Sequence, residues 1–526
     1  MNNKYQKYLV PALLFALFVT YTILVFLSEG THGGADDIGH YRRSRYAFQF
    51  PHFFLYHWGK PFFTAISSPF AQFGFNGIRI FNVLAGTAAA YFTYRTAVLL
   101  KFRVPILAIF LVISSPLYTV LMLSGMTEIL ASLMLILTIF LFYRKQYIWS
   151  ALLLSFLPFV RNEAVVILPL FLGAYIWQRQ WKAIPFLFFG FVFYSIVGSF
   201  YYDDILWVIH QMPYKGTAQD IYGSGKLLHY AKESKYIFGI GLTILIILGL
   251  LLWILDPLVK KGRPRKEWLM EMLVVYMPFL VYFAAHSYVW WKGAANSVGM
   301  IRVMIAIIPS AALLGVFAWS RIMEWIPVPK ILKQAVTAIF CIILVITPHR
   351  IYTIPVPLVG TQRLVKEASV WLRESEYFEN RIYYYDPFFT HFMKLNPYDP
   401  QRSHQFVHDR QHPEKKIEEG AIVIWDAHFS PNEGQLPLEN LMDNPHFRLI
   451  HLVRDAKPFT VLGGYKYEIY IFQRIAEDEE VDNHRIYEQL LEEITGTEKE
   501  SWVPGIRTHR RPIGMIPDLA DRPGWL

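Results

Sequence analysis

Long apolar runs separated by short polar or basic segments dominate the first two thirds of the chain. The first run, Tyr8 to Leu27, has about twenty residues, which suits a bilayer-spanning helix and exceeds the apolar core of a signal peptide. We therefore interpret it as a retained first helix. The further runs are Ile78 to Leu100, Val104 to Leu123, Thr127 to Tyr143, Tyr147 to Val160, Ala164 to Trp177, Ala183 to Tyr201, Tyr236 to Leu255, Leu269 to Trp290, Val303 to Trp319 and Ile331 to Thr347. The pattern predicts a mainly α-helical, multi-pass membrane protein with about eleven transmembrane helices.

Basic residues cluster at alternate ends of successive apolar runs. The clusters are Lys4 and Lys7, Lys101 and Arg103, Arg144 and Lys145, Arg179 and Lys182, the segment 260–266, and Arg321 with Lys330. Because cytoplasmic loops are enriched in Lys and Arg, this arrangement predicts a cytoplasmic N-terminus. With an odd number of spans, the C-terminus lies outside. The polar segments 28–76 and 202–235 then face outward as well.

The composition changes sharply after the last apolar run. Alternating β-type segments and helical segments predict a small extracytoplasmic α/β domain over residues 349–475. The predicted strands are Arg381 to Tyr385, Ala421 to Trp425, Phe447 to Val453 and Tyr467 to Phe472, with helices at Ala368 to Glu374 and Leu436 to Met442. Residues 476–526 are predicted to form an acidic helix followed by an irregular tail. Residues 1–348 make up the predicted membrane module.

The composition excludes several classes of protein. Hydrophobic residues make up 54% of the 526 residues, whereas charged residues make up 17%, which argues against a soluble enzyme, a coiled coil or a disordered chain. The formal net charge of +9 fits cytoplasmic loops, so we predict no nucleic-acid partner. A single cysteine, Cys341, excludes an intramolecular disulfide or a thiolate-rich metal site. The absence of Asn-x-Ser/Thr sequons favours a bacterial inner membrane.

The first outward segment contains the most informative polar cluster, Asp36 and Asp37 shortly after the first helix. A carboxylate near a membrane surface can accept a proton from a hydroxyl or amine in a transition state. We therefore predict that one of the two acids is a general base, without deciding which. The alternative is that Asp36 caps a helix that begins near Ile38.

Several short motifs follow in a consistent order. They are Arg45-Tyr-Ala, Lys60-Pro61, Ser68-Pro69-Phe, Phe73-Gly74, Arg79 at the second span, Ser115-Pro116, Gly125-Met-Thr-Glu128 at the fourth span and Arg161-Asn-Glu163 at the sixth. Together with the acidic pair, they resemble the GT-C glycosyltransferases, a group of multi-pass enzymes that includes protein O-mannosyltransferases, aminoarabinose transferases and arabinofuranosyltransferases. The resemblance covers the first two hundred residues well and the remainder only in architecture.

The resemblance implies transfer of one sugar from a polyprenyl-phosphate carrier to an acceptor on the extracytoplasmic side, usually with inversion. It assigns the base to the first acid, Asp36. Many members of that group have Asp-Glu where this chain has Asp-Asp. The acceptor is left open among glycan, lipid and protein, and the sugar is not identified.

A phosphate-bearing carrier needs cations at the outward helix ends, where apolar surroundings strengthen the interaction. The candidate substrate-binding residues are Arg79, Glu128, Arg161, Glu163, Lys215, Lys226, His286, Lys292 and Arg302. For the cations, snorkelling or an ordinary ion pair is the alternative interpretation. For Glu128 and Glu163, pairing with an arginine and binding of sugar hydroxyls are both open.

The sequence predicts no cofactor. A divalent metal bound by His32, Asp36 and His40, four residues apart, is the alternative. Glycines at 33, 34 and 39 argue against the continuous helix that this site requires. A P-loop at Gly223 to Lys226 is rejected, because Leu227 replaces the Ser or Thr that binds magnesium.

Two other functions remain open on the sequence alone. Many aromatic spans are compatible with a transporter or lipid flippase. A non-catalytic envelope assembly protein, whose α/β domain binds a partner, is the second alternative.

Overall fold

The computed structural model describes residues 3–213, 223–259, 265–295, 297–407, 409–461, 463–479 and 481–495. These residues divide into two compact units, with the boundary between Pro357 and Leu358. The first unit is helical, and the second contains the chain's described β-sheet.

The first unit is built from α-helices of very different length. The helices are α1 (Asn3–Leu27), α2 (Ala35–Tyr46), α3 (Pro61–Ala71), α4 (Phe75–Leu99), α5 (Leu107–Ile113), α6 (Pro116–Met122), α7 (Glu128–Tyr143), α8 (Tyr147–Phe156), α9 (Leu168–Trp177), α10 (Phe189–Tyr202), α11 (Trp207–His210), α12 (His229–Lys232), α13 (Ser234–Ile237), α14 (Gly239–Val259), α15 (Arg265–Glu271), α16 (Met277–Lys292), α17 (Ile308–Trp325) and α18 (Lys330–Ile351). Tight 3-10 turns at Asn162–Ile167 and Ile301–Ile307 lead into α9 and α17. A π-helical segment, Met272–Tyr276, leads into α16.

Within the described residues, five helical segments are long and apolar enough to cross a membrane, fewer than the predicted eleven. They are Tyr8–Leu27, Trp181–Tyr202, Lys266–Lys292, Ile301–Trp325 and Lys330–Ile351. Four shorter apolar segments accompany them: Glu128–Tyr143, Tyr147–Phe159, Asn162–Trp177 and Gly239–Leu255. These segments agree with a multi-pass membrane protein.

The predicted span from Val104 to Leu123 is wrong as a continuous helix. The chain forms two helices of seven residues, α5 and α6, separated at Ser114 and Ser115. Pro116 explains the break, because a proline has no N–H and pushes the residue before it out of the helical region. Ser115 accordingly has an extended backbone with ψ of 121°.

Burial distinguishes the centre of the helical unit from its periphery. In the segment that contains α17, 89% of the most apolar window is buried, against 11% in α1 and 17% in α18. Apolar side chains such as Phe15 and Ile331 remain exposed on those outer helices. In a membrane protein such faces are covered by lipid rather than water.

The second unit is an α/β domain with a mixed five-stranded sheet. Its strands are β1 (Ile382–Tyr384), β2 (Ser403–Gln405), β3 (Ile422–Asp426), β4 (Phe447–Arg454) and β5 (Glu468–Arg474), and its helices are α19 (Gly360–Glu374), α20 (Phe388–Met393), α21 (Phe429–Asn432), α22 (Glu439–Met442) and α23 (Asn483–Thr495). The strand order is β2-β1-β3-β5-β4, with β2, β1 and β3 parallel and the β3–β5 and β5–β4 pairs antiparallel. The strand β2 was not predicted from the sequence. The predicted tail from Val503 onward lies outside the described residues.

Candidate functional site

The acidic pair lies in the first turn of α2, which begins directly after Gly34. Gly34 has a φ of 62°, a conformation that glycine adopts without steric penalty, and it turns the chain into the helix. Asp36 is therefore not the helix cap. α2 continues through Gly39 to Tyr46, but it begins only at Ala35, so the expectation that no continuous helix runs from His32 to His40 is confirmed. Negative charge in the first turn interacts favourably with the helix dipole.

Asp37 is fully buried and is held mainly by backbone donors. Its two carboxylate oxygens accept hydrogen bonds from the amide of Gly33 at 3.1 Å and the amide of Gly125 at 2.8 Å. The hydroxyl of Thr31 also donates to it. Burial raises the pKa of Asp37 to about 7, and the bonds from Thr31 and Gly125 oppose that shift. Asp37 therefore fixes the loop before α2 to the segment before α7.

Asp36 has a different environment from its neighbour. Its side chain is 36% exposed, and it accepts a hydrogen bond from the guanidinium of Arg302. Arg302, which is 11% exposed, also donates to the carbonyl of Gly33 at 3.2 Å. Asp36 is thus the acid of the pair that an incoming substrate can reach.

Arg302 connects Asp36 to a buried chain of alternating charges. Its Nε lies 3.7 Å from Oε1 of Glu128, which also binds Nη1 of Arg161 at 2.9 Å. Arg161 in turn contacts Oε1 of Glu163 at 2.5 Å. We call these five residues, Asp36, Arg302, Glu128, Arg161 and Glu163, the ion network. Charges buried this far from water are stable only when they are paired in this way.

Two side chains of α16 extend the ion network. The hydroxyl of Tyr282 donates to Oε1 of Glu163 at 3.1 Å, and Nε2 of His286 lies 3.9 Å from the same oxygen. The 3-10 turn before α9 positions Glu163, while α16 supplies Tyr282, which donates a hydrogen bond to it, and His286, which lies beyond hydrogen-bond distance. His286 was a sequence candidate, whereas Tyr282 was not.

Lys60 is a further cation near the ion network. It was not among the candidate site residues predicted from the sequence. Its Nζ donates to Oδ1 of Asn162 at 2.8 Å, and the amide of Asn162 lies 3.1 Å from Nδ1 of His57. Burial lowers the pKa of Lys60 to about 7; the nearby Arg161 charge contributes, and Glu163 opposes the shift. Lys60 has a left-handed backbone with φ of 62°, which directs the chain into Pro61 and α3. The Lys-Pro motif was its only sequence signal.

The remaining cationic candidates lie apart from the ion network. Arg79 donates to the carbonyls of Leu123 at 2.6 Å, Ser28 at 3.0 Å and Gly30 at 3.3 Å. We call Asp37 and Arg79, with these backbone partners, the backbone anchor. Lys226 and Lys292 are exposed, with the ammonium of Lys292 over the ring of Trp291. Lys215 lies outside the described residues.

The two histidines of the metal site weighed from the sequence contact aromatic side chains, whereas Asp36 pairs with Arg302. His32 makes an edge contact with Tyr352, and His40 stacks on Trp58 with ring centroids 5.0 Å apart. Burial lowers the pKa of His32 to about 4. In the part of the chain that the structure describes, no group of three or more His, Cys, Asp and Glu side chains has an arrangement that holds a metal ion.

Searches with the sequence match no family model and no curated protein. Comparison with solved structures finds ArnT from Cupriavidus metallidurans bound to undecaprenyl phosphate, with a TM-score of 0.57 at 9% identity, covering 88% of this chain and 97% of ArnT. The apo state of the same protein has a TM-score of 0.56 at 11% identity, with the same coverage. The arabinofuranosyltransferase AftD from Mycobacteria has a TM-score of 0.47 at 12% identity, covering 89% of this chain and 40% of AftD.

The similarity to ArnT extends over nearly the whole of both chains. The resemblance to GT-C glycosyltransferases that the sequence motifs indicate is thereby confirmed at the level of the fold. At this identity the comparison concerns the fold, and the roles of individual side chains have to be argued from their own geometry.

Proposed function

We propose that the protein is an integral-membrane glycosyltransferase that moves one sugar from a polyprenyl-phosphate carrier to an acceptor. We further propose that it works in a bacterial inner membrane with its site on the extracytoplasmic side. The fold shared with ArnT, which was solved with undecaprenyl phosphate, supports a carrier of this class. The basic clusters at the alternate ends of the apolar runs support the orientation.

The observation that carries the proposal is the position of Asp36 at the exposed end of a buried ion network. A general base must reach the proton that it removes, and Asp36 is the accessible acid of the pair. Direct attack by the activated acceptor would invert the anomeric carbon. Asp37, whose oxygens already accept backbone hydrogen bonds, serves to position the segment that carries Asp36.

Three buried cations support binding of the carrier phosphate. Arg302 and Arg161 present guanidinium groups that are 11% and 12% exposed, and Lys60 lies close to the same acids. A guanidinium group can donate two parallel hydrogen bonds to two phosphate oxygens, and a low-dielectric site strengthens this interaction. In the reaction these cations would stabilise the negative charge that develops on the departing polyprenyl phosphate.

The proposal is tested by transfer with purified protein in detergent. The assay supplies radiolabelled undecaprenyl-phosphate sugars and a mixture of envelope glycans, lipids and proteins as acceptors. Wild-type protein should release undecaprenyl phosphate and label one acceptor class. Asp203→Asn changes an exposed acid in the second outward segment. It is the matched control for Asp36→Asn and should leave transfer unchanged.

Two results would overturn the proposal. One is the absence of transfer with every carrier offered to correctly folded protein; carrier flux across liposomes without transfer would then favour the flippase alternative. The other concerns orientation. A cysteine placed at Asp36 in a Cys341→Ser background should react with a membrane-impermeant maleimide from outside the cell, and labelling only after lysis would contradict an extracytoplasmic site.

A further inference from the structure

Among the residues that the structure describes, three buried polar atoms around the ion network have no hydrogen-bond partner. They are Nδ1 of His40, Oε2 of Glu128 and Nε2 of His286. They come from three separate helices, α2, α7 and α16. An unpaired polar group of this kind destabilises a fold, because it loses its hydrogen bonds to water without gaining new ones. Such groups are uncommon in native structures, where a bound molecule, an ordered water or a functional role explains them.

The three residues surround Arg161. Its guanidinium binds Oε1 of Glu128 at 2.9 Å, which leaves Oε2 of the same carboxylate unpaired. On its other side it binds Glu163, whose Oε1 lies 3.9 Å from the unpaired Nε2 of His286. His40 is close enough for the charges of Lys60, Arg161 and Arg302 to act on it.

His40 is held as a neutral ring. Burial lowers its pKa well below the usual value, and the charges of Arg43, Lys60, Arg161 and Arg302 act in the same direction. Trp58 stacks against it, and Phe63 makes an edge contact. A neutral imidazole retains one nitrogen that accepts a hydrogen bond and one that donates. Together with the carboxylate of Glu128, the cluster offers both kinds of partner to a polar ligand.

We propose that His40, Glu128 and His286 form a subsite that binds hydroxyl groups of the transferred sugar, and that this sugar is neutral rather than an amino sugar. The inference rests on the proposed function and identifies its substrate class. A carboxylate oxygen needs a donor, which a hydroxyl or an ammonium supplies. The hydroxyl is favoured because Glu128 already has guanidinium nitrogens of Arg161 and Arg302 at 2.9 and 3.7 Å. A third cation at this place would be repelled by both.

The test measures kcat and KM with undecaprenyl-phosphate carriers of neutral hexoses, neutral pentoses, their monodeoxy analogues and amino sugars. Wild-type protein should prefer a neutral sugar, and removal of a bound hydroxyl should lower kcat/KM about tenfold, the effect of one hydrogen bond. His286→Phe and His40→Phe keep an aromatic ring of similar size and remove the nitrogens. Each should lower kcat/KM about tenfold on the parent sugar and abolish discrimination against one deoxy analogue.

His52→Phe is the matched control, because the ring contacts of His52 are a stack on Tyr201 and a tilted contact with Phe53 rather than contacts with the ion network. Its sugar discrimination should equal that of the wild type. Binding of undecaprenyl phosphate without a sugar should be equal in all four proteins, which separates a sugar contact from a purely structural effect.

The outcomes distinguish failure of the proposed glycosyltransferase function from failure of the proposed sugar subsite. If no carrier supports transfer by the wild type, the proposed function fails. If transfer occurs but both histidine variants discriminate against every deoxy analogue as the wild type does, the subsite is wrong. Preference of the wild type for an amino sugar would overturn the assignment of a neutral sugar.

Discussion

The ion network and the backbone anchor contain the same kinds of residue but use them differently. In the backbone anchor, Asp37 accepts hydrogen bonds from main-chain amides and Arg79 donates to three main-chain carbonyls. In the ion network the charged groups are paired with each other, and Oε2 of Glu128 remains unpaired. Hydrogen bonds between a charged side chain and the main chain indicate a structural role. Charged side chains that pair with each other can exchange these partners for the charged groups of a substrate.

The largest difference between the two regions should appear on substitution of Asp36. Asp36→Asn removes the basic oxygen while retaining size, so we expect kcat to fall about 10³-fold, within the range for loss of a general base. The melting temperature should stay close to that of the wild type, because the side chain is 36% exposed. Full transfer activity in this variant would exclude Asp36 as the base.

The opposite pattern is expected for Asp37→Asn. The amide nitrogen of asparagine must face the N–H of either Gly33 or Gly125, so a buried donor loses its acceptor. We expect a loss of about 3 kcal/mol of folding stability.

The variant also tests the titration of Asp37. Because its folded pKa is raised to about 7, the stability linked to its protonation is full below pH 4 and lost as the pH rises through 7.

Thermal melts of the purified protein between pH 4 and pH 8 measure both effects. Asp37→Asn should have a lower melting temperature and a flatter pH dependence than the wild type. Its kcat per folded molecule should stay within a few-fold of the wild type. A loss as large as that of Asp36→Asn, with an unchanged melting temperature, would contradict the division between the two acids.

Arg79→Lys tests the other half of the backbone anchor. A lysine cannot donate to three separate carbonyls in the geometry of a guanidinium group, so some carbonyls become unpaired. We expect a loss of about 2 kcal/mol in stability. Carrier affinity, measured by the quenching of tryptophan fluorescence with undecaprenyl phosphate, should be unchanged. A tenfold weaker affinity would instead place Arg79 among the phosphate ligands.

The smallest effect expected is a change in pH dependence at Lys60. Its side-chain amine must be protonated to attract the phosphodiester of the carrier. Because the pKa of Lys60 is about 7, the protonated form is lost as the pH rises through neutrality. KM for the sugar carrier should rise about fivefold from pH 7 to pH 8 in the wild type, as for the loss of one proton. Lys60→Arg should remove this dependence, because arginine remains charged. An identical profile in both proteins would show that another group titrates.

The sequence predicts a mainly helical membrane unit because apolar runs of bilayer length have few alternatives, but it does not predict α2 and α3, and it joins α5 and α6 into one span. It predicts the strands β1 and β3 because they are buried and rich in β-branched or aromatic residues. It misses β2, which has only three residues and the polar sequence Ser-His-Gln. Glu128, Arg161, Glu163, His286 and Arg302 were selected individually as polar residues in apolar surroundings. Their joining into one network depends on contacts between residues far apart in the chain.

Local patterns also fail for single residues whose role depends on tertiary contacts. Arg79 has the same sequence signal as Arg161, a cation at the start of an apolar helix. It donates to Asn76 nearby, but its other partners are three backbone carbonyls that only the folded chain brings together. Lys60 has only the Lys60-Pro61 motif as a sequence signal, and its hydrogen bond to Asn162, about a hundred positions later, forms only in the folded chain.

The length of α7 has a consequence for the surrounding lipid. The helix has 16 residues and therefore extends about 24 Å, whereas the hydrocarbon layer of a bilayer is about 30 Å thick. Glu128, its first residue, then begins several ångströms inside the acyl region unless the membrane thins there. Thinning of the membrane would bring the headgroups to the depth of Glu128, so that a lipid-borne phosphate could meet the protein without being lifted out of its leaflet. Acyl chain length is accordingly a variable to control in any reconstitution of this protein.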